Sequence, residues 1–175
     1  MNSKLIFQNI GRFVLLMLLQ VLVLNNVYLG GYINPCLYLL FVAMLPTNTG
    51  KIPTLLIAFA TGLCNDIFTN MLGFHTFACT FMGFVQVVSA NKIILRDSEE
   101  VIETPSINSV SYQQMGLYLA LLFGLFYVVY YLMLSFSFHD FFPAMASALL
   151  STIVTWLLAM LYQALFFRAS RKTNK

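Results

Sequence analysis

Residues 62–79 read GLCNDIFTNMLGFHTFAC, and they hold most of the groups with which this chain could do chemistry. Asp66 brings a carboxylate, His75 an imidazole, Cys64 and Cys79 thiols. Inside a membrane such groups could relay protons. A relay needs a chain of ionisable side chains, however, and Asp66 and His75 stand nearly alone; Asp140 falls in a loop. Other chemistries lack their parts. His75 and His139 are the only histidines, and there is no HExxH, no GxSxG, no phosphate-cradling glycine loop and no close carboxylate pair. The three cysteines, Cys36, Cys64 and Cys79, show no CxxC spacing and lie in apolar surroundings. They read as buried, inert thiols. No metal, no cofactor and no enzymatic activity is expected.

Helical spacing places Gly62, Asp66 and Asn70 on one face at i, i+4 and i+8. Gly73 permits a tight turn, and His75, Cys79 and Gly83 continue a face on the helix that follows. The expected unit is a helical hairpin with a narrow polar seam near its turn. Two roles for Asp66 are open at this level. It could staple the hairpin by accepting hydrogen bonds from the freed amides of the turn or from His75, or it could form part of a recognition site.

The elements that carry these residues follow from composition. Apolar types make up 60% of the 175 residues and charged types 9%, against roughly 25% charged in an average soluble domain. So few charges cannot cover a water-facing surface. The bilayer is the expected solvent, and nucleic acid is not an expected partner despite a net charge of +3. The early apolar run FVLLMLLQVLVL follows Lys4 and Arg12, as in a secretion signal. Asn25 and Asn26 then stand where a small-residue cleavage site would be, so the run reads as an uncleaved span.

Six apolar segments can be marked, roughly Gly11–Tyr28, Tyr32–Pro46, Pro53–Thr69, Phe74–Ala90, Tyr112–Phe138 and Phe142–Phe167. The second is short. Asn34-Pro35 predicts its helix start, with Asn as N-cap and Pro as first helical residue, and Pro46 ends it. At ~1.5 Å per residue it would reach only about 22 Å, so it spans thinly or re-enters. Charge favours six crossings. With both termini cytoplasmic, Lys4, Arg12, Lys51, Lys92, Arg96, Arg168, Arg171, Lys172 and Lys175 all fall on the cytoplasmic side, as the positive-inside rule requires. Five crossings would move Lys51, Lys92 and Arg96 outside. The expected fold is therefore all-α: one polytopic membrane domain over 1–175 with six transmembrane helices. Its outer loops are short, near Leu29–Gly31, Asn70–Gly73 and His139–Asp140. The cytoplasmic loop over about 91–111 turns from basic to acidic, and a tail covers about 168–175. That loop reads as a solvated connector or as a docking surface for a cytoplasmic partner.

Small and polar residues recur every four positions at Gly116, Ala120 and Gly124, and at Ser147, Ser151, Thr155, Ala159 and Gln163. In lipid such stripes let helix backbones approach and hydroxyls bond across. Spacing leaves open whether they face the protein's own helices or a partner. The aromatic cluster Phe126, Tyr127, Tyr130 and Tyr131 could pack internally or present a lipid-facing surface.

In size, layout and two motifs the chain resembles the MreD family of rod shape-determining membrane proteins. The first motif is the G-x-x-x-D of Gly62 and Asp66 followed by the Leu72-Gly73 turn. The second is QVLVLNNVYLGGYINPCLY, residues 20–38, with Gln20, Asn34 and Pro35. The resemblance implies a fold similar to the substrate-binding subunits of energy-coupling-factor vitamin transporters. It implies a bacterial inner-membrane protein of the elongation machinery, which maintains rod shape by scaffolding lateral peptidoglycan synthesis. The implied partner is MreC and, through it, MreB, RodA and the transpeptidase that works with RodA. Self-association and membrane-lipid contacts are further expectations. On this view Gly62, Asp66, Asn70, Gly73, His75, Gln20, Asn34 and Pro35 are interface or structural polar positions. The rival reading is a vitamin-binding transporter subunit. Against it, Phe13–Leu24 lacks the Ala-x-x-x-Ala stripe such subunits use to dock their coupling partner.

Overall fold

The computed structural model describes residues 3–26, 33–46, 49–71, 73–89, 105, 111–135 and 141–172. Six α-helices are present among them: α1 (Ser3–Leu22), α2 (Leu39–Ala43), α3 (Lys51–Thr69), α4 (Phe74–Ser89), α5 (Tyr112–Leu134) and α6 (Phe141–Lys172). A short 3₁₀ turn, Leu24–Asn26, follows α1. The fold is all-α, as the composition predicts. Among the described residues, four stretches are long and apolar enough to cross a membrane: Phe7–Asn26, Lys51–Thr69, Tyr112–Leu134 and Phe141–Phe166. The apolar helix α4 is shorter, at 16 residues. The expected loops at Leu29–Gly31 and His139–Asp140, and the basic-to-acidic run within 91–111, lie outside the described residues.

Local chemistry accounts for the helix ends. Gly50, with φ 80°, serves as N-cap of α3. Pro53 and Pro143 both fall in first turns, where a missing N–H costs nothing. Asn70 ends α3 in the left-handed region with φ 55°, and both its N–H and that of Met71, at 3.0 Å, return to the Asp66 carbonyl. Gly73, with φ 85°, completes the turn into α4.

The second apolar segment departs from expectation. No helix starts at Asn34-Pro35; α2 begins at Leu39, with Tyr38 as its N-cap residue, and lasts five residues. The amides that a helix start would direct to an Asn34 cap have stronger partners elsewhere. The Cys36 N–H reaches Tyr127 Oη at 2.9 Å, and the Leu37 N–H reaches Gln20 Oε1 at 2.8 Å. Residues Cys36–Leu45 are buried throughout, enclosed by the other helices. Irregular backbone at membrane depth is tolerated where protein surrounds it in this way.

The same contacts give the direction and reach of this segment. Asn34 meets Ser151, Cys36 meets Tyr127 and Thr155, Ala43 meets Tyr118, and Met44 meets Gln163. It therefore runs parallel to α6 and antiparallel to α5. From Ser151 to Gln163 is ~18 Å of helix, so the segment traverses most of the bundle and does not turn back. Tyr38 lies beside His75 and Leu45 beside Gln86, which makes it parallel to α4 as well. Among the described residues the six segments thus alternate in direction, and the start of α1 shares an end of the bundle with the last turns of α6.

The small-residue stripes are seams within the protein. Trp156 Nε1 donates to the Gly116 carbonyl at 2.8 Å, and a Cβ at Gly124 would touch Thr152. Between α3 and α4 the approach is closer. A Cβ at Gly62 would lie 2.6 Å from Thr76 Cα, and one at Gly83 would lie 2.6 Å from the Ala58 Cβ. Small residues on both helices set this spacing. The aromatic cluster also turns inward: Phe126 and Tyr127 are fully buried and Tyr130 is 2% exposed.

Candidate functional site

The turn of the α3–α4 hairpin is built around Asp66, which is 3% exposed. Its Oδ1 accepts the His75 N–H at 3.1 Å, and its Oδ2 accepts the Thr76 N–H at 2.8 Å and the Thr76 hydroxyl. His75 and Thr76 are the second and third residues of α4. Their amides are among those a helix start leaves unpaired, and an N-cap side chain normally takes them. The residue preceding α4 is Gly73, which has no side chain to offer. Asp66 supplies the cap from the neighbouring helix. Its charge also suits the positive end of the α4 dipole. Gly62, one turn earlier, lets α3 come close enough for the carboxylate to reach.

Of the two roles open for Asp66, the geometry is that of the staple. Its hydrogen bonds reach His75 through the main chain only. The His75 ring turns away: Nδ1 pairs with Tyr38 Oη at 3.0 Å, while Nε2 is buried without a hydrogen-bond partner. The ring packs beside Tyr130, centroids 4.6 Å apart, and beside Phe126 at 6.2 Å. A carboxylate–imidazole proton relay is not assembled. Asn70 does not join this group; it is exposed and acts through its backbone as the terminator of α3.

The second constellation holds the irregular segment. Gln20, fully buried, donates from Nε2 to the Pro35 carbonyl at 3.0 Å and to Asn25 Oδ1 at 2.8 Å, while its Oε1 accepts from Leu37. Tyr127 Oη donates to the Asn34 carbonyl at 2.7 Å, accepts from the Cys36 N–H and lies 2.6 Å from Thr155 Oγ1. Ser151 Oγ accepts the Asn34 N–H at 3.1 Å and pairs with Tyr131 Oη. The fold brings Gln20, Asn34 and Pro35 together, and Gly62, Asp66, Gly73 and His75 together. Tyr38 bridges the two groups by reaching His75.

Sequence reasoning missed Thr76, Tyr38 and Tyr127 as partners. Thr76 had a signal, since it follows Gly73 by three residues and so falls at the third position of a helix starting after that glycine. Asn65 was also missed. It is fully buried, and neither atom of its side-chain amide has a hydrogen-bond partner. No group of three or more His, Cys, Asp or Glu able to hold a metal occurs among the described residues. Comparison with family models, with curated proteins and with solved structures gave no match.

Proposed function

We propose that this chain is a non-enzymatic membrane scaffold of the bacterial cell-elongation machinery, acting in the manner of MreD beside MreC. It would sit in the inner membrane with both termini in the cytoplasm and connect, through MreC, to MreB, RodA and the transpeptidase that works with RodA. One observation carries the reading. The residues on which the family resemblance rests, Gly62, Asp66 and Gly73, are those that fix the α3–α4 hairpin, and Gln20 and Pro35 bond to each other. Their polar atoms are spent on shape, which suits a protein whose output is a rigid surface offered to other proteins.

The test is capture of MreC from membranes of the native host in mild detergent, together with depletion of the protein in rod-shaped cells. Co-purified MreC and rounding cells are expected. Cells that keep their width and lateral wall growth, with no MreC recovered, would refute the proposal.

A further inference from the structure

A groove of about 320 Å³ opens between α1 and α3. Ile10 and Phe13 form one wall, Ile57 and Ala60 the other, and Phe41 and Leu45 of the irregular segment form the floor. Ile10 and Ala60 are exposed, so the groove faces sideways into the bilayer, and it runs from the middle of α1 and α3 toward the end of the bundle where α3 begins. Its walls are apolar, and water has few partners there. A single extended hydrocarbon chain fits the room and the chemistry.

The mouth of the groove says which lipid. Asn9 and Thr49 line it, and the Thr49 hydroxyl is buried without a hydrogen-bond partner. Two residues on, Lys51 is exposed at the first position of α3. That helix starts on Gly50 with no side-chain cap and no acidic residue in its first turn. The positive end of its dipole favours an anion. We propose that the groove holds one acyl chain of an anionic phospholipid from the leaflet on this side, with the phosphate and its headgroup at Lys51 and the start of α3. The site is independent of the scaffold reading; it needs only that the helices lie in a bilayer.

Native mass spectrometry tests this, using the full chain released from micelles doped with phosphatidylglycerol or phosphatidylethanolamine. The phosphatidylglycerol adduct should exceed the phosphatidylethanolamine adduct. Lys51→Ala should erase about a fivefold preference, the worth of one lysine at an anionic surface. Ala60→Phe, which fills the slot from a lipid-facing position, should remove both adducts. Equal adducts in the native protein, or adducts unaffected by Ala60→Phe, overturn the proposal. So does Ala60→Cys crosslinking to another polypeptide in membranes, since that assigns the groove to a partner helix. Lys51→Ala changes an exposed side chain, so its result stands even if Ala60→Phe misfolds.

Discussion

Asp66 of α3 caps α4 through the amides of His75 and Thr76, so the carboxylate that stands out in the apolar sequence is a joint between two helices. Asp66→Ala strands two buried amides and a hydroxyl. A loss of about 1–3 kcal/mol in unfolding free energy is expected. Asp66→Asn keeps one good acceptor and should lose less. Asp66→Leu should still insert, because a charge is removed from lipid, yet it should unfold as early as the alanine variant. Denaturant titration in micelles measures the order, and equal stability of Asp66→Leu and native protein would contradict the cap.

Glycines should differ by their surroundings. Gly62→Ala places a methyl 2.6 Å from Thr76 Cα, and main chain cannot yield cheaply. It should cost ~1–3 kcal/mol through overpacking. At Gly116 the nearest atom to a new Cβ is Trp156 Cζ2 at 3.4 Å, and at Gly11 nothing lies within 4 Å. Both of those alanine variants should melt close to the native protein. Thermal unfolding of the three side by side is the check.

Tyr127 and Thr155 share the Cys36 N–H. Tyr127→Phe alone leaves Thr155 to hold it at 3.2 Å, and Thr155→Val alone leaves Tyr127. The double variant leaves neither. A double-mutant cycle should therefore show coupling, with the pair costing more than the sum of the singles by roughly 0.5–2 kcal/mol. Additivity would mean that the segment has another acceptor for that amide.

How much of this was legible beforehand differs by element. Helix positions were readable because apolar runs broken by Pro, Gly and Asn announce themselves in lipid. The seams at Gly116 and Ser151 are legible as small-residue stripes, and those at Gly62 and Gly83 as the faces of a narrow hairpin, though not their partners. The segment around Asn34-Pro35 traverses the bundle as expected but lacks the helix start that its sequence signals. Its dipeptide is a good local helix start, but Gln20, Tyr127 and Thr155 lie 17, 91 and 119 residues away from the amides they take. Pairings over such distances leave no local trace, and they overrode the local preference.

Thiol accessibility should follow burial. Cys36 and Cys79 are buried and Cys64 is half-buried. A small membrane-permeant maleimide should label Cys64 first and the other two only after denaturation. Peptide mapping by mass spectrometry reads the sites directly, and early labelling of Cys79 would show that α3 and α4 separate in the folded protein.

The proposed layout, six crossings with both ends in the cytoplasm, has a direct test by fusion. A green fluorescent protein fused after Lys175 should be bright and an alkaline phosphatase at the same point inactive. The reverse pattern would be incompatible with confinement of all the basic residues to the cytoplasmic face.

The irregular stretch from Asn34 to Met44 also has a bearing on biogenesis. Its main-chain groups at Asn34, Pro35, Cys36, Leu37 and Ala43 are satisfied by side chains from α1, α5 and α6, and the last two helices are translated roughly a hundred residues later. On emerging from the ribosome it has too little helix of its own to enter hydrocarbon alone. It must wait in the insertion machinery, or at the interface, until the carboxyl-terminal pair arrives to receive it. Ribosome-stalled chains ending before α5 should therefore leave this stretch open to protease, and chains carried past α6 should protect it.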